Sequence, residues 1–398
     1  MIVPYMPTLV RTRPYNLLKE LVRQGVRVRL ATTWEDEEER GQIDYWTKMG
    51  VKVMAMPLSK SQRMQNLALA LPTRLPLQSR YCWQPELASR IGREIDRQAF
   101  QAIHVEHLRG AEYGLFAKAK LESRGVRIPI IWDSVDCISL LFEQAARMSR
   151  GGFGRWATRI DLGRTRRYEG RLVRSFDRTL TTSLNDKAAL EKLAGSDMDG
   201  GQVQVLKNGV DLEYFRPSNA ARSKDLVVFS GKMSYHANIS AAMELIKKIM
   251  PIVWTQRPQI RVQLVGKDPT AEIIKLAVED SRVEVTGSVS SIPSYLQQAT
   301  IAVAPVIYGV GIQNKVLEAM ACATPVVTSR QGASALGAVP GKDLLLAETP
   351  EEFAQNMIQL LDQEERAAEM GANGRRYVEQ QHDWKQIGEE LLGYYGRY

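Results

Sequence analysis

Lys315 and Glu318 stand three residues apart at the start of a helical stretch, directly after a glycine-bearing loop, Tyr308-Gly-Val-Gly-Ile-Gln-Asn-Lys315. An apolar run, Thr300-Ile-Ala-Val-Ala-Pro305, comes before the loop, and Thr324-Pro-Val-Val-Thr328 follows the helix. The order is strand, loop, helix, strand. Glycines at a strand-to-helix turn let the backbone approach a ligand closely, and the unpaired N–H groups at a helix start favour a phosphate. Lys315 adds a full positive charge there, and one turn on Glu318 can accept hydrogen bonds from sugar hydroxyls. An amphipathic helix carrying an ordinary i, i+3 ion pair in solvent would show the same two residues. The glycine loop and flanking strands favour a ligand, and the chemistry is that of holding a nucleoside diphosphate.

Other residues could do chemistry. Lys232 follows the apolar run Leu226–Ser230, where a cation can meet a phosphate or simply be solvated. His104 and His107 are three apart, and a metal site would need a third ligand and matching geometry that nothing nearby compels. On a strand they face opposite sides, so only one can point to a ligand, and His107 is nearer the carboxyl end. Asp133 and Asp136 end another apolar run; they read as an acid/base pair or, more simply, as turn-capping carboxylates. Between Arg147 and Arg178 arginines alternate with Trp156, Ile160, Tyr168, Leu172 and Phe176. That pattern fits either a helix with its apolar stripe inward or a basic surface helix against anionic lipid.

These residues need a scaffold, and the hydropathy pattern supplies one. Short β-branched runs at Val26–Thr33, Val51–Pro57, Ala102–Glu106, Ile128–Asp133, Thr179–Ser183 and Val203–Leu206 alternate with helical stretches, one opening at Pro14 and one covering Pro85–Gln98. The alternation restarts after residue 222 with Leu226–Ser230, Ile260–Gly266, Val283–Thr286, Ile301–Pro305, Val326–Ser329 and Leu344–Ala347. Two such series predict an α/β chain of two doubly wound, Rossmann-like domains. Residues 1–210 form the first, 211–222 a Pro- and Ser-containing linker, 223–375 the second, and 376–398 a group of C-terminal helices. In such sheets ligands bind beyond the carboxyl ends of the strands, so a cleft between the domains is the expected site. The loops expected there are Pro7–Arg13, Glu106–Gly110, Asp133–Ile138, Gly231–Asn238, Gly266–Pro269 and Tyr308–Asn314.

The 398 residues are 44% hydrophobic and 25% charged, ordinary for a globular protein and enough for two cores. Three widely spaced cysteines suggest neither a disulfide framework nor a zinc site. No long apolar run or signal-like start is evident, so a cytoplasmic protein is expected. The net charge of +8 is uneven: the surplus lies before residue 210, while the remainder is slightly acidic. A basic first half implies an anionic partner. No nucleic-acid module accompanies it, so a membrane surface or lipid phosphate is preferred to nucleic acid.

Phe229-Ser-Gly-Lys232, Asn208-Gly-Val-Asp211 and Gly309-Val-Gly-Ile-Gln-Asn-Lys-Val-Leu-Glu-Ala-Met-Ala321 together resemble the retaining nucleotide-sugar glycosyltransferases of family 4, with the GT-B fold. Pro14-Tyr-Asn-Leu-Leu-Lys-Glu-Leu21 is similar to that family's first helix, and Arg375-Arg-Tyr-Val378 with Trp384 to its C-terminal helices, which would pack back on the first domain. The resemblance covers nearly the whole chain and includes subgroups linked to exopolysaccharide assembly. It implies transfer of a sugar from a UDP- or GDP-linked donor to a glycan or lipid-linked hydroxyl acceptor, at the inner face of a membrane and without a metal or other cofactor. By the same resemblance Glu318 would bind the ribose, and Lys232, Tyr308, Gly309, Gly311, Ile312, Gln313, Asn314 and Lys315 would surround the diphosphate and sugar. His107 would be the catalytic-site histidine, with Arg11, Arg13 and Asp136 on the acceptor side. Three positions depart from the pattern. A partner glutamate would fall at Val310, a second basic residue at Ala237 beside His236 and Asn238, and a Gly-Gly at Leu9-Val10. A nucleotide-sugar-binding protein without transfer, or an epimerase or hydrolase of the same fold, would share the remaining features.

Overall fold

A strand covered by helices on both faces must be apolar along its length, and Leu226-Val-Val-Phe-Ser230 is buried at every position. The computed structural model describes residues 1–148, 152–195, 201–308 and 312–396, with side chains described except at 145–148 and 152–160. Within these residues the chain forms two units, Met1–Lys207 with Trp384–Tyr398, and Asn208–Asp383.

The first unit holds a seven-stranded sheet in the order β3-β2-β1-β4-β5-β6-β7. Its strands are β1 Ile2–Val3, β2 Arg29–Trp34, β3 Lys52–Pro57, β4 Ile103–Glu106, β5 Ile130–Val135, β6 Arg178–Thr181 and β7 Val203–Val205. Every pairing is parallel. The second unit holds β10-β9-β8-β11-β12-β13, again wholly parallel. Here β8 is Leu226–Ser230, β9 Arg261–Val265, β10 Val283–Gly287, β11 Ile301–Ala304, β12 Val326–Thr328 and β13 Leu345–Leu346. In each sheet the winding reverses once, between β1 and β4 and between β8 and β11. Ligands of doubly wound sheets bind beyond the carboxyl ends at that reversal. The loops that matter therefore follow β1, β4, β8 and β11.

The chain end splits between the two units. Helix Glu364–Gln381 stays with the second, where Arg375 donates to the carbonyls of Phe215 and Ala321. Helix Trp384–Tyr395 belongs to the first, burying Trp384, Ile387 and Leu391 in the cluster that contains Leu17, Leu18 and Leu21 of helix Thr12–Arg23. The two crossing segments are tied together: His382 Nδ1 lies 2.7 Å from the Asn208 carbonyl, and the Val210 N–H donates to the His382 carbonyl at 2.8 Å. Residues 211–222 fold with the second unit. Pro and Ser there mark irregular backbone that is nonetheless anchored, because Arg222 donates to the carbonyls of Leu296, Gln297, Ala299 and Cys322.

Candidate functional site

Two glycines shape the second unit's carboxyl edge. Gly231 after β8 and Gly266 after β9 have φ of +150° and +149°, and a Cβ on Gly266 would lie 1.8 Å from the Gly231 carbonyl oxygen. Only hydrogen fits there. The Asn238 amide closes the turn by donating to the Lys232 carbonyl at 2.9 Å, and it would meet a Cβ on Gly231 at 2.7 Å. Lys232 itself is exposed, with its ammonium 3.5 Å from Asp268.

Helix Asn314–Ala321 begins at the same edge, after β11. Among the described residues no side chain caps its N-terminus, although the Val316 N–H already donates to the Gln313 carbonyl at 2.9 Å; the dipole of such a helix start favours an anion. Lys315 and Glu318 are not a solvent-face pair. Among the described residues no ion pair joins them and the Glu318 carboxylate has no hydrogen-bond partner. Burial raises Glu318 to about 7, Lys315 opposing the shift. Burial lowers Lys315 to about 8, Glu318 opposing, and among the described residues its ammonium reaches Gln313 Oε1 at 3.3 Å and the Phe229 ring at 5.7 Å. Two desolvated ionisable groups that do not neutralise each other are costly in an empty protein and useful in a loaded one.

Around them the loop residues divide. Ile312 is buried in the core against Val316 and Leu317, so its side chain anchors the loop. Gln313 and Asn314 open the helix. Tyr308 stacks on His236, with ring centroids 5.3 Å apart. Gly309, Val310 and Gly311 lie outside the described residues.

In the first unit the expected loop Glu106–Gly110 is instead the first turn of helix His107–Glu122. His107 enters it with φ +62°, and Val135 ends the neighbouring β5 with φ +68°. A β-branched residue in that region is a true outlier, and such strain gathers at functional sites. The Arg109 N–H donates to His107 Nδ1 at 3.3 Å, which leaves the ring proton on Nε2. Burial first and Arg109 second lower His107 to about 3. His107 is therefore a neutral hydrogen-bond donor. Its ring meets Tyr5 edge-on at 6.2 Å, and Arg11, paired with Glu39 at 2.7 Å, covers the same Tyr5 ring.

Arg13, expected on the acceptor side, is a buried cation only 3% exposed. It donates through Nε to Asp133 Oδ2 at 2.9 Å and through Nη1 to the carbonyls of Leu206 and Lys207. Its partner lies far along the chain, so the sequence hid the pairing. Asp136 accepts from the Thr182 hydroxyl at 3.2 Å, and burial, reinforced by Asp186, raises it to about 7. His104 is the interior histidine: its Nε2 lies 3.6 Å from Glu106 and 3.7 Å from Asp133, and burial lowers it to about 4. These three residues have the separation of metal ligands. The Arg13 guanidinium already occupies Asp133 Oδ2, however, and would repel a cation there. Arg109 lies in the expected loop Glu106–Gly110, but the sequence does not single it out; it stands in the first turn of the helix that His107 begins, with its guanidinium over the Tyr81 ring at 5.0 Å.

The sequence profile described as Glycosyltransferase Family 4 matches residues 10–214, and that described as Glycosyl transferases group 1 matches 224–363. The first spans more than half of the chain. This protein belongs to glycosyltransferase family 4. It is 27% identical over 232 residues to D-inositol 3-phosphate glycosyltransferase 2 of Catenulispora acidiphila, which covers 52% of each chain. It is 29% identical over 209 residues to a GDP-mannose-dependent monoacylated alpha-(1-6)-phosphatidylinositol monomannoside mannosyltransferase of Corynebacterium glutamicum, covering 47% of this chain and 54% of that one. The chain thus spans about half the length of the curated relatives it matches. Among solved structures it resembles Anabaena HepE in complex with UDP and glucose, with a TM-score of 0.67 at 14% identity over 100% of this chain and 99% of that one. Sucrose-phosphate synthase from Thermosynechococcus elongatus gives 0.66 at 17% identity over 97% and 92%. These likenesses show the fold, GT-B, with its two Rossmann-like domains.

Proposed function

We propose that this family 4 chain transfers a sugar from a nucleoside-diphosphate sugar to a hydroxyl acceptor, with retention at the anomeric carbon. The observation that carries the reading is the half-buried, desolvated Lys315 and Glu318, which form no ion pair with each other among the described residues, at an uncapped helix start beside the β8/β11 reversal. Glu318 would accept from the ribose hydroxyls. Lys315, the helix N-terminus and Lys232 would meet the charge that develops on the departing diphosphate, and with those cations in place the transfer needs no metal. In the first unit the Nε2–H of His107 would donate to a sugar oxygen, with Arg11 on the acceptor side. HepE was solved with UDP and glucose, which supports a uridine donor; the corynebacterial relative's name specifies GDP-mannose and a phosphatidylinositol acceptor, which supports a lipid-linked glycan.

A panel of UDP- and GDP-sugars, read by thermal shift and by nucleotide release with and without glycan acceptors, tests this. Transfer predicts acceptor-stimulated release. Equal release without any acceptor would point to a hydrolase or epimerase, and binding without release to a non-catalytic carrier. No helix among the described residues is long and apolar enough to cross a membrane. The basic first unit would instead bring the protein to the cytoplasmic face of an anionic bilayer. Sedimentation with anionic vesicles that weakens from about 50 to 300 mM salt supports this contact, and absent or salt-insensitive binding removes it.

A further inference from the structure

The loops after β8 and β11 also bring two rings together outside the pair Lys315 and Glu318. His236 opens the helix His236–Glu244 and is exposed; Tyr308 comes from the loop after β11. Their rings are nearly parallel, 9° apart in plane, and the Tyr308 hydroxyl lies 2.6 Å from His236 Nδ1. Among the described residues His236 Nε2 makes no hydrogen bond. Asn238, the other polar residue near this turn, is already used in holding Lys232 and Gly231. Ala237, where the family's second basic residue would fall, is buried at 6% exposure.

We propose that His236, oriented by Tyr308, is a further cationic contact for the donor diphosphate, beside Lys232 and Lys315. The inference rests on the donor-site reading above. In the empty site burial holds His236 below its ordinary value, so the ring is neutral near pH 7. Binding of a diphosphate draws a proton from solvent onto the ring. Nε2–H then donates to a phosphate oxygen, while Nδ1–H donates to Tyr308, whose hydroxyl changes from donor to acceptor. The other ionisable groups at this edge are Lys232 with Asp268, Tyr235 against the ring at 4.4 Å, and Lys315 with Glu318.

The test is calorimetric titration of the full chain with UDP from pH 5.5 to 8.5, comparing wild type with H236Q, H236K and Y308F. Lys315, Glu318 and the β-phosphate titrate in this range too, so the readout is the ratio of wild-type to H236Q affinity, in which they cancel. That ratio should be about tenfold at pH 6 and approach one at pH 8.5, as expected for one charge-assisted contact. H236K should bind UDP with no such fall. In a Y308F background H236Q should cost less than it does alone, which marks the two residues as coupled. UMP should not distinguish wild type from H236Q. A ratio that stays flat with pH, or an equal effect on UMP, overturns the proposal while leaving the donor site standing. UDP binding unchanged in both E318A and K315A would overturn both.

Discussion

Replacing Glu318 should stabilise the empty protein and disable it, in amounts the structure sets. The Glu318 carboxyl is raised from 4.5 to about 7 by burial, against the pull of Lys315. A folded value above the unfolded one means that the ionised form disfavours folding. The penalty is absent below the unfolded value, grows as pH rises toward 7, and is complete above it. At about 1.4 kcal/mol per unit, the cost at pH 8 is about 3 kcal/mol. Glu318→Gln keeps the volume and removes the charge, so it should melt several degrees higher than wild type at pH 8 and at the same temperature near pH 4.5. Glu318→Ala removes an acceptor whose hydrogen bonds to ribose hydroxyls are worth about 1.5–3 kcal/mol each. With one or two such bonds, UDP affinity should fall on the order of 100-fold. Thermal melts across pH and calorimetry with UDP at pH 7.5 read the two effects separately. A Gln variant that melts lower than wild type at pH 8, or an Ala variant that binds UDP as tightly, would refute the reasoning.

Three further outcomes follow from neighbouring contacts. Lys315→Met should weaken UDP far more than uridine in competition titrations; because the buried lysine is held at about 8, the variant should also melt higher at pH 7, an advantage that disappears as pH rises through the folded value toward the unfolded one near 10.5. Gly266→Ala cannot keep its backbone against the Gly231 carbonyl, so it should lose UDP binding and at least about 2 kcal/mol of stability by urea denaturation. Arg13→Met leaves Asp133 buried without its partner and should cost about 3–5 kcal/mol by the same measurement, with Arg13→Lys failing to restore the several bonds that the guanidinium makes.

The parallel sheets were legible because strands buried on both faces cannot hide. Leu226–Ser230 has the bounds its hydropathy predicts, and the other long strands shift by one to three residues at their ends, most at β2, which begins at Arg29 and not Val26. Strand β1 was not legible, since two residues carry no periodicity, although its loop sets the first unit's switch point. Helix Trp384–Tyr395 showed its apolar stripe but not its partner; only the fold shows that it meets helix Thr12–Arg23. The same limit hid the partner of Arg13. An arginine at the start of a helix looks like a ligand contact until the chain brings Asp133 against it. Lys315 and Glu318 were found from the loop, helix and strand around them. Their desolvation without a mutual ion pair depends on the packing around them and could not be read from spacing.

A stable fold removes desolvated charge and strained backbone wherever nothing else requires them. This chain keeps both, and keeps them at strand carboxyl ends beside the two winding reversals. In the second unit the close approach of Gly231 and Gly266 tolerates no side chain, and the desolvated charge sits in Lys315 and Glu318. In the first unit the strain sits in the positive φ of His107 and Val135, each costing on the order of 1–3 kcal/mol. The backbone at His107 is coupled to its chemistry, because the turn it enters places the Arg109 N–H on Nδ1 and so leaves the proton on Nε2. Relaxing that φ would free the ring to change tautomer and exchange a donor for an acceptor. The strain in the first unit thus fixes which way a hydrogen bond can run, while the desolvated charge in the second fixes what a ligand must bring: hydroxyls for a carboxylate and an anion for an ammonium.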